Sequence, residues 1–328
     1  MAVRRSIPAI AAVLLAVLPF SISGAGTLQL LAFAMLFAAL AVTYDLLLGF
    51  TGLLSFGHAA YFGSAIYITG IALAEWHWSL LQSGLLAVVV VTAFAVVSGA
   101  VALRVGGVAF AMVTLALAQG GLVLVSNNPR GLTHGLDGFG IPIDRIPEIF
   151  VGVANTRNLY WLTLALLVFV YGAVYLATTS SPGRVWQALR ENEARVEVLG
   201  LDGYRFKLLA FVFSVLLVSL AGVVFVIVQG SVDPAVMSSE LTLTLLVMAV
   251  LGGLGTRWGA ALGGFIYTVA DNRLTDLAGS SAFASLPTII RGPLTQPVFL
   301  LGTVFILVIM FAPGGFAGVV RLAQVRKR

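Results

Sequence analysis

The 328-residue sequence contains no cysteine, and only 9% of its residues are charged. Without cysteine the chain can form no disulfide, no thiolate metal site and no cysteine nucleophile. The P-loop pattern GxxxxGK[ST] is also missing, so the chain does not bind and hydrolyse ATP with a P-loop of its own. We therefore expect no catalytic residue, no metal site and no cofactor in this chain.

Hydrophobic residues make up 60% of the sequence, and its mean hydropathy is +1.06. A single buried core cannot hide that much apolar surface from water, so the composition predicts an all-α, polytopic transmembrane helical bundle. The chain is basic, with a net charge of +5. Its basic residues are scattered between apolar runs, which indicates membrane topology and not a nucleic-acid partner.

Apolar runs along the chain predict about ten spans in a single transmembrane domain covering residues 1–328. The first run also resembles a signal peptide, but the many later spans favour its retention as a transmembrane helix. The longest non-apolar stretch, residues 126–158, is predicted to be an ordered external loop, and residues 271–297 to be a polar segment broken by prolines. The predicted spans are 7–22, 28–48, a glycine-interrupted span within 49–70, 80–103, 108–125, 159–177, 208–228, 241–254, 260–270 and 298–311.

The distribution of basic residues predicts the orientation of these spans. If both termini face the cytoplasm, thirteen of the eighteen Lys and Arg residues lie on the cytoplasmic side. This split obeys the positive-inside rule, and the opposite orientation would violate it. We therefore expect both termini to be cytoplasmic.

Residues 180–207 form a polar island between two apolar runs and hold nine charged residues. Pro182 suits the first turn of a helix, Ser180 or Ser181 can cap it, and Gly200 can end it. At about 100° per residue, five apolar side chains fall on one stripe, which predicts a short amphipathic helix on the cytoplasmic side. An ordinary solvated helix between two spans explains the same pattern. The stripe consists of Val185, Ala188, Leu189, Val196 and Leu199.

Two glycine-rich segments, residues 47–67 and 250–267, resemble each other weakly. Each passes from a leucine run through small residues into a glycine-rich span, and matching interrupted helices indicate a transport pathway. Chance in a chain with 36 glycines is the alternative explanation of the likeness. We hypothesise that the small and polar residues of both segments lie beside the translocation path, although plain helix packing would use similar glycines. These residues are Gly49, Thr51, Gly52, Ser55, Gly57, His58, Gly252, Gly253 and Gly255.

Ionisable residues are scarce inside the predicted spans. Asp45 lies near the cytoplasmic end of the second span, and His58 lies within the third. A proton-driven carrier is expected to keep carboxylates near the membrane midplane, so this scarcity argues against a secondary carrier. We interpret Asp45 as structural and His58 as a hydrogen-bonded packing residue. A passive channel would need a continuous polar pore, which these apolar spans do not offer.

Four motifs occur in a fixed order along the chain: YDLLLGFTGLLSFGHAAYFG from Tyr44, LTHGLDGFGIP from Leu132, SPGRVWQALRENEARVEVLGLDGYRFKLLAFVFS from Ser181 and VMAVLGGLGTRWGAALGG from Val247. Through them the chain resembles, over nearly its whole length, the inner-membrane permease subunit of bacterial branched-chain amino acid ABC importers, the Liv type. The resemblance implies a multi-pass protein of the bacterial inner membrane that carries leucine, isoleucine or valine. A urea or short-amide ABC permease and an ion-coupled secondary amino acid transporter are the alternatives.

The resemblance also implies partners and a coupling element. The partners are a second permease subunit, identical or homologous, two ABC ATPase subunits, a periplasmic substrate-binding protein, a small-molecule amino acid substrate and the lipid bilayer. The coupling helix falls within residues 180–206, where ENEARVEVLG stands in the place of the loop that docks on the ATPase. Its expected ATPase-coupling residues are Val185, Leu189, Arg190, Glu191, Glu193, Ala194, Val196, Leu199 and Gly200.

Overall fold

The computed structural model describes residues 14–21, residues 24–278 and scattered positions between 299 and 318. Much of the first predicted span and most of the tenth, 298–311, therefore lie outside the described residues. So do the terminal arginines and lysine that contribute to the charge argument for cytoplasmic termini.

Most of the described residues are helical, which confirms the predicted all-α bundle. We number the helices in chain order. The first, α1 (Ala25–Asp45), continues into a π-helical turn, Leu46–Phe50. Two short strands, β1 (Phe139–Gly140) and β2 (Ser231–Val232), pair antiparallel. The helices are α1 (Ala25–Asp45), α2 (His58–Ala74), α3 (Leu80–Ala102), α4 (Gly107–Ser126), α5 (Thr156–Thr179), α6 (Ser181–Glu191), α7 (Glu193–Val198), α8 (Gly203–Gln229), α9 (Ser239–Gly252) and α10 (Arg257–Ala278).

Five stretches of the described chain are long and apolar enough to cross a membrane. They correspond to α1 with its π-helical turn, α3, α4, α5 with the turn before it, and α8, and all five coincide with predicted spans. Helices α2 and α9 are apolar but shorter, and each adjoins a glycine-rich break. The five stretches are Ala25–Phe50, Leu80–Ala102, Gly107–Ser126, Val153–Thr179 and Gly203–Gln229.

The helix that contains the ninth predicted span is longer than that span. Helix α10 does not stop at Ala270 but continues through the polar sequence DNRLTDLA to Ala278. That sequence contains neither glycine nor proline, so nothing in it interrupts the helical backbone. Asn272, Arg273 and Asp276 lie on the exposed side, where polar residues do not oppose a helix.

Helix α1 lies at the centre of the bundle. In its most apolar 18-residue stretch 83% of the residues are buried, whereas in the corresponding stretch of α4 28% are buried. It packs most extensively against α10 and α5, while α8 packs against α2 and α3. Helices α3 and α4 expose apolar side chains such as Val97 and Val108, as lipid-facing helices do.

Contacts between the loops sort them into two ends of the bundle. At one end β1 pairs with β2, and His134 Nε2 lies 3.5 Å from Glu75 Oε1. At the other end the Tyr204 hydroxyl donates to the Ala100 carbonyl over 2.8 Å. Loops predicted to share a side of the membrane therefore meet. We call the second end the α6 end, and its cytoplasmic location stays a prediction.

Candidate functional site

The polar island folds into two short helices and not one, so the prediction of a single amphipathic helix is wrong. Ser180 caps α6 as expected, accepting from the Gly183 amide over 3.5 Å. At Asn192 the backbone becomes extended (φ −164°, ψ 105°), and the Asn192 side chain accepts from the Arg195 amide over 3.1 Å. Asparagine is among the best N-cap residues, which is why a new helix begins here.

Helix α7 ends where the sequence predicts a stop. Gly200 has φ +78°, and its amide donates to the Glu197 carbonyl over 2.9 Å. The Leu201 amide donates to the Val196 carbonyl over 3.3 Å. This pair of bonds is a Schellman motif, which needs a residue in the left-handed conformation and so favours glycine.

Because Asn192 breaks the helix, the predicted apolar stripe does not form. Leu189 and Val196 are buried, but Ala188 and Leu199 are exposed and Val185 is half-buried. The inward face also contains Trp186, which sequence reasoning missed although it lies three residues before Leu189.

The inward face of the two helices packs on the beginning of α8. The Trp186 indole N–H donates to the Phe206 carbonyl over 2.8 Å. Leu189 lies so close to Gly203 that an added Cβ there would be 3.1 Å from the leucine Cδ2. The Glu193 carboxylate, one of the expected ATPase-coupling groups, instead pairs with the Lys207 ammonium. Leu189 and Glu193 are therefore engaged with their own chain.

The outward edge of the island is exposed and partly apolar. Val198 and Leu199 are 87% and 77% exposed, and Glu191, Ala194 and Gly200 are exposed beside them. The ATPase-coupling role of this edge stays a prediction.

Arg190 links α6 to both glycine-rich segments. Its guanidinium Nη1 donates to the Gly49 carbonyl in the π-helical turn. Its side chain passes Gly52, where an added Cβ would lie 3.4 Å from the arginine Cγ. The same Nη1 would lie 2.7 Å from a Cβ added to Gly255. Three of the nine predicted path residues therefore meet at one arginine.

Asp45 joins the two glycine-rich segments from the end of α1. Its side chain is fully buried, and Oδ1 accepts from the Gly255 amide over 2.7 Å. Within the described part of the chain, Oδ2 has no hydrogen-bond partner. The hydrogen bond to Gly255 gives Asp45 the structural role that we predicted for it.

Between the π-helical turn and α2, over residues 52–57, the chain is non-helical, and hydroxyls of other helices accept from amides in and next to this break. The Phe56 amide donates to the Thr114 hydroxyl and the Ala59 amide to the Thr242 hydroxyl, each over 3.0 Å. The Ser55 hydroxyl accepts from the Gly57 amide over 3.3 Å. A backbone break inside a membrane protein requires such partners, because lipid supplies none.

His58 is a buried packing residue, as predicted. Its Nε2 lies 3.0 Å from the Thr43 hydroxyl, and its ring meets the Tyr44 ring edge to face at 5.2 Å. Thr51, next to the break, likewise donates within the chain, to the Leu47 carbonyl.

The second glycine-rich segment makes a short turn between α9 and α10. Gly253 and Gly255 have φ values of +108° and +73°, which disfavour any side chain. Gly252 packs so closely on Gly259 that there is no room for a Cβ. Beside the turn, Arg257 donates to the Thr178 hydroxyl over 2.7 Å. Sequence reasoning counted Arg257 only as a topological charge.

A family model described as the permease component of branched-chain amino acid transport systems matches residues 26–313. The chain belongs to this family.

Three relatives illustrate its range. LivM of Escherichia coli, a high-affinity branched-chain amino acid transport system permease protein, is 28% identical over 84% of this chain and 69% of its own length. LivH of Salmonella typhimurium, a permease protein of the same kind of system, is 25% identical over 76% of this chain and 83% of its own length. LsrC of Klebsiella pneumoniae, an autoinducer 2 import system permease protein, is 32% identical over 53% of this chain and 49% of its own length. The chain spans about two thirds of the LivM proteins, and no solved structure matches it.

In this permease the predicted path residues lie around the two breaks at the α6 end. Gly49, Gly52 and Gly255 surround Arg190, whereas His58 begins α2 and Gly252 ends α9. Except for Gly52, the residues of the first break are buried or half-buried within this one chain. Their part in a translocation path stays a prediction.

Proposed function

We propose that this chain is the membrane-spanning permease subunit of an ATP-driven importer for branched-chain amino acids. The observation that carries the proposal is the family match over residues 26–313, which covers the whole bundle including both glycine-rich breaks and the polar island. The LivM and LivH relatives are permease proteins of branched-chain amino acid transport systems, which supports leucine, isoleucine or valine as the solute.

The absence of a P-loop supports a division of labour. ATP is hydrolysed on two separate ATPase subunits, and a second permease subunit and a periplasmic binding protein complete the importer. The two short helices α6 and α7 stand at one end of the bundle and are linked to its centre through Arg190, so they suit a coupling element. Rigid-body movement of such an element can pass the energy of hydrolysis to the spans.

We infer that the ATPase contact lies on the outward edge of α7 and the residue after it, and not on the predicted stripe. Val198 and Leu199 offer exposed apolar area to a partner, while Leu189 holds α6 on α8. A helix edge of this kind fits into a groove of a partner protein. The occupant that we propose is the ATPase subunit.

Uptake by the complete complex tests the solute and the energy source. Permease, ATPases and binding protein are reconstituted into liposomes, and uptake of radiolabelled leucine is measured with and without ATP inside. We expect uptake only with ATP, competed by isoleucine and valine. Uptake driven by an imposed proton or sodium gradient, or competition by urea or acetamide alone, would contradict the proposal. The isolated permease should hydrolyse no ATP.

A matched pair of substitutions tests the docking edge. Leu199→Asp should release the ATPase from the complex in a pull-down while the permease keeps its yield in detergent. Val153→Asp places the same charge at an equally exposed apolar position, 78% exposed, at the opposite end of the bundle and should retain the ATPase. ATPase retention by both variants would refute docking on this edge.

A further inference from the structure

A hydrogen-bond acceptor to which Arg190 does not donate lies near this arginine. Its Nη1 donates to the Gly49 carbonyl, one turn after the buried Asp45 carboxylate. A Cβ on Gly49 would collide with Asp45 Oδ1, so the two acceptors are near neighbours. Yet no salt bridge joins Arg190 to Asp45 in the described part of the chain.

The unused acceptor is the second oxygen of Asp45. Oδ1 accepts from the Gly255 amide, whereas Oδ2 is buried and has no partner among the described residues. A buried carboxylate with an unsatisfied oxygen is costly, and a guanidinium is the partner that suits it best. The arrangement is therefore incomplete in the conformation described.

Two arginines lie near this carboxylate, and they differ in freedom. Arg257 is held by the Thr178 hydroxyl and by the ring of Tyr175, 4.7 Å from its guanidinium carbon. Arg190 is exposed to solvent at the end of α6 and contacts the break through the Gly49 carbonyl. Arg190 is therefore the freer of the two to change acceptor when α6 moves, since Arg257 would have to leave the Thr178 hydroxyl and the Tyr175 ring.

We propose that Arg190 is the positioning residue that transmits movement of α6 and α7 to the spans, by exchanging the Gly49 carbonyl for Asp45 Oδ2 as its acceptor. When the helix pair moves, the arginine releases the π-helical turn and engages the carboxylate that also holds the Gly255 amide. The movement of the helix pair then reaches both glycine breaks at the Asp45 carboxylate. The inference rests on the proposed function, because it needs an ATPase that moves α6 and α7.

The chemistry predicts a specific phenotype for variants of the pair. Arg190→Gln keeps an N–H donor for the Gly49 carbonyl but removes the charge that would pair with Asp45. The complex should still assemble and hydrolyse ATP, but uptake per ATP hydrolysed should fall about tenfold, within the usual range for coupling between sites. Arg190→Lys retains the charge and should recover part of that ratio.

The experiment measures leucine uptake and ATP hydrolysis together in liposomes that contain the complete complex. Arg184→Gln is the matched control, because Arg184 lies on the same helix and its side chain, within the part of the chain that the structure describes, bonds only the neighbouring Thr179 carbonyl and Ser181 hydroxyl. Its ratio of uptake to hydrolysis should equal that of the wild type. Asp45→Asn should lower the ratio as Arg190→Gln does, and the double variant should be no worse than either single variant, since residues acting as one unit are not additive.

Three results would overturn the inference. They are an unchanged ratio in Arg190→Gln, a loss of uptake and hydrolysis in step with lost assembly, and additive effects of the two substitutions. The second would identify Arg190 as a structural support. If wild-type vesicles show no ATP-dependent leucine uptake, the proposed function fails as well, so failure of the inference alone is recognised by normal wild-type uptake.

Discussion

The two helix breaks at the α6 end differ in what holds them. The break between α1 and α2 is long, and its amides reach the hydroxyls of Thr114 on α4 and Thr242 on α9. The break between α9 and α10 is short and closes on itself, with the Thr256 amide and hydroxyl both donating to the Gly253 carbonyl. Among the described residues, it makes one hydrogen bond to a side chain of another helix, the Asp45 carboxylate at the end of α1.

This difference means that the second break depends on the first for its conformation, whereas the first depends little on the second. Among the described residues, hydroxyls from two other helices stabilise the first break, whereas the second is hydrogen-bonded to the end of α1 through the Asp45 carboxylate and packs against Gly314 and Ala317. Damage to the first break should therefore spread to the second, while damage to the outer supports of the first should remain local. The Arg190 side chain also lies against both glycine-rich segments, at Gly49 and at Gly255. The residue best placed to act on both breaks therefore lies outside either of them.

The most damaging substitution should be Gly49→Ala, where the breaks touch. An added methyl would overlap both Asp45 Oδ1 and the Gly255 amide, and neither backbone can retreat without separating the breaks. Overpacking of this kind costs about 3 kcal/mol. We expect most of the folded permease to be lost, measured as the monodisperse fraction after detergent extraction and as the midpoint of thermal unfolding.

Gly120→Ala on α4 is the control for that substitution. An added Cβ at Gly120 meets no atom within 4 Å, and alanine favours a helix over glycine by about 1 kcal/mol. Its yield should match or exceed the wild type. Equal yields for Gly49→Ala and Gly120→Ala would mean that the breaks do not touch in the folded protein.

We expect an intermediate loss of stability from substitutions at Asp45, because the second break depends on the hydrogen bond that Asp45 accepts. Asp45→Ala leaves the Gly255 amide without its partner and should destabilise the permease by about 1–3 kcal/mol. Asp45→Asn keeps an acceptor oxygen in the same place and should cost clearly less. The difference in stability is measured by thermal unfolding of both variants in one detergent. Identical midpoints would show that the second break does not need the hydrogen bond to Asp45.

The bundle could be predicted from sequence because lipid imposes a simple rule on it. A span must be apolar for about 20 residues, and the apolar runs reveal this directly. The apolar runs do not show where a helix continues past them, as α10 does from Asp271 to Ala278. There the end of the helix depends on the lack of glycine and proline, which a hydropathy reading does not weigh.

The site was less predictable, for two different physical reasons. The break at Asn192 is readable from the sequence, because asparagine is a preferred N-cap residue, but the apolar periodicity of the stripe continues across it. The contact of Arg190 with Gly49 joins residues 141 positions apart, and no local pattern encodes it. The same holds for Asp45 and Gly255, which are 210 positions apart.

The smallest effects should come from the hydroxyls that support the first break from outside. Thr242→Val and Thr114→Val keep the side-chain shape but leave the Ala59 and Phe56 amides without an acceptor. Each should cost about 1 kcal/mol, the usual net worth of one hydrogen bond. Hydrogen exchange should quicken at Ala59 in the first variant and at Phe56 in the second, and the Gly255 amide should stay protected in both.

Thr163→Val separates this effect from the general loss of a buried hydroxyl. Thr163 is equally buried on α5, but among the described residues its hydroxyl bonds only the Leu159 and Tyr160 carbonyls of its own helix, and those carbonyls keep their helical partners. The midpoint of thermal unfolding should therefore change little. If Thr163→Val costs as much as Thr242→Val, or if Gly255 exchanges faster in Thr242→Val, the supports of the first break are not local and the one-sided dependence between the breaks is wrong.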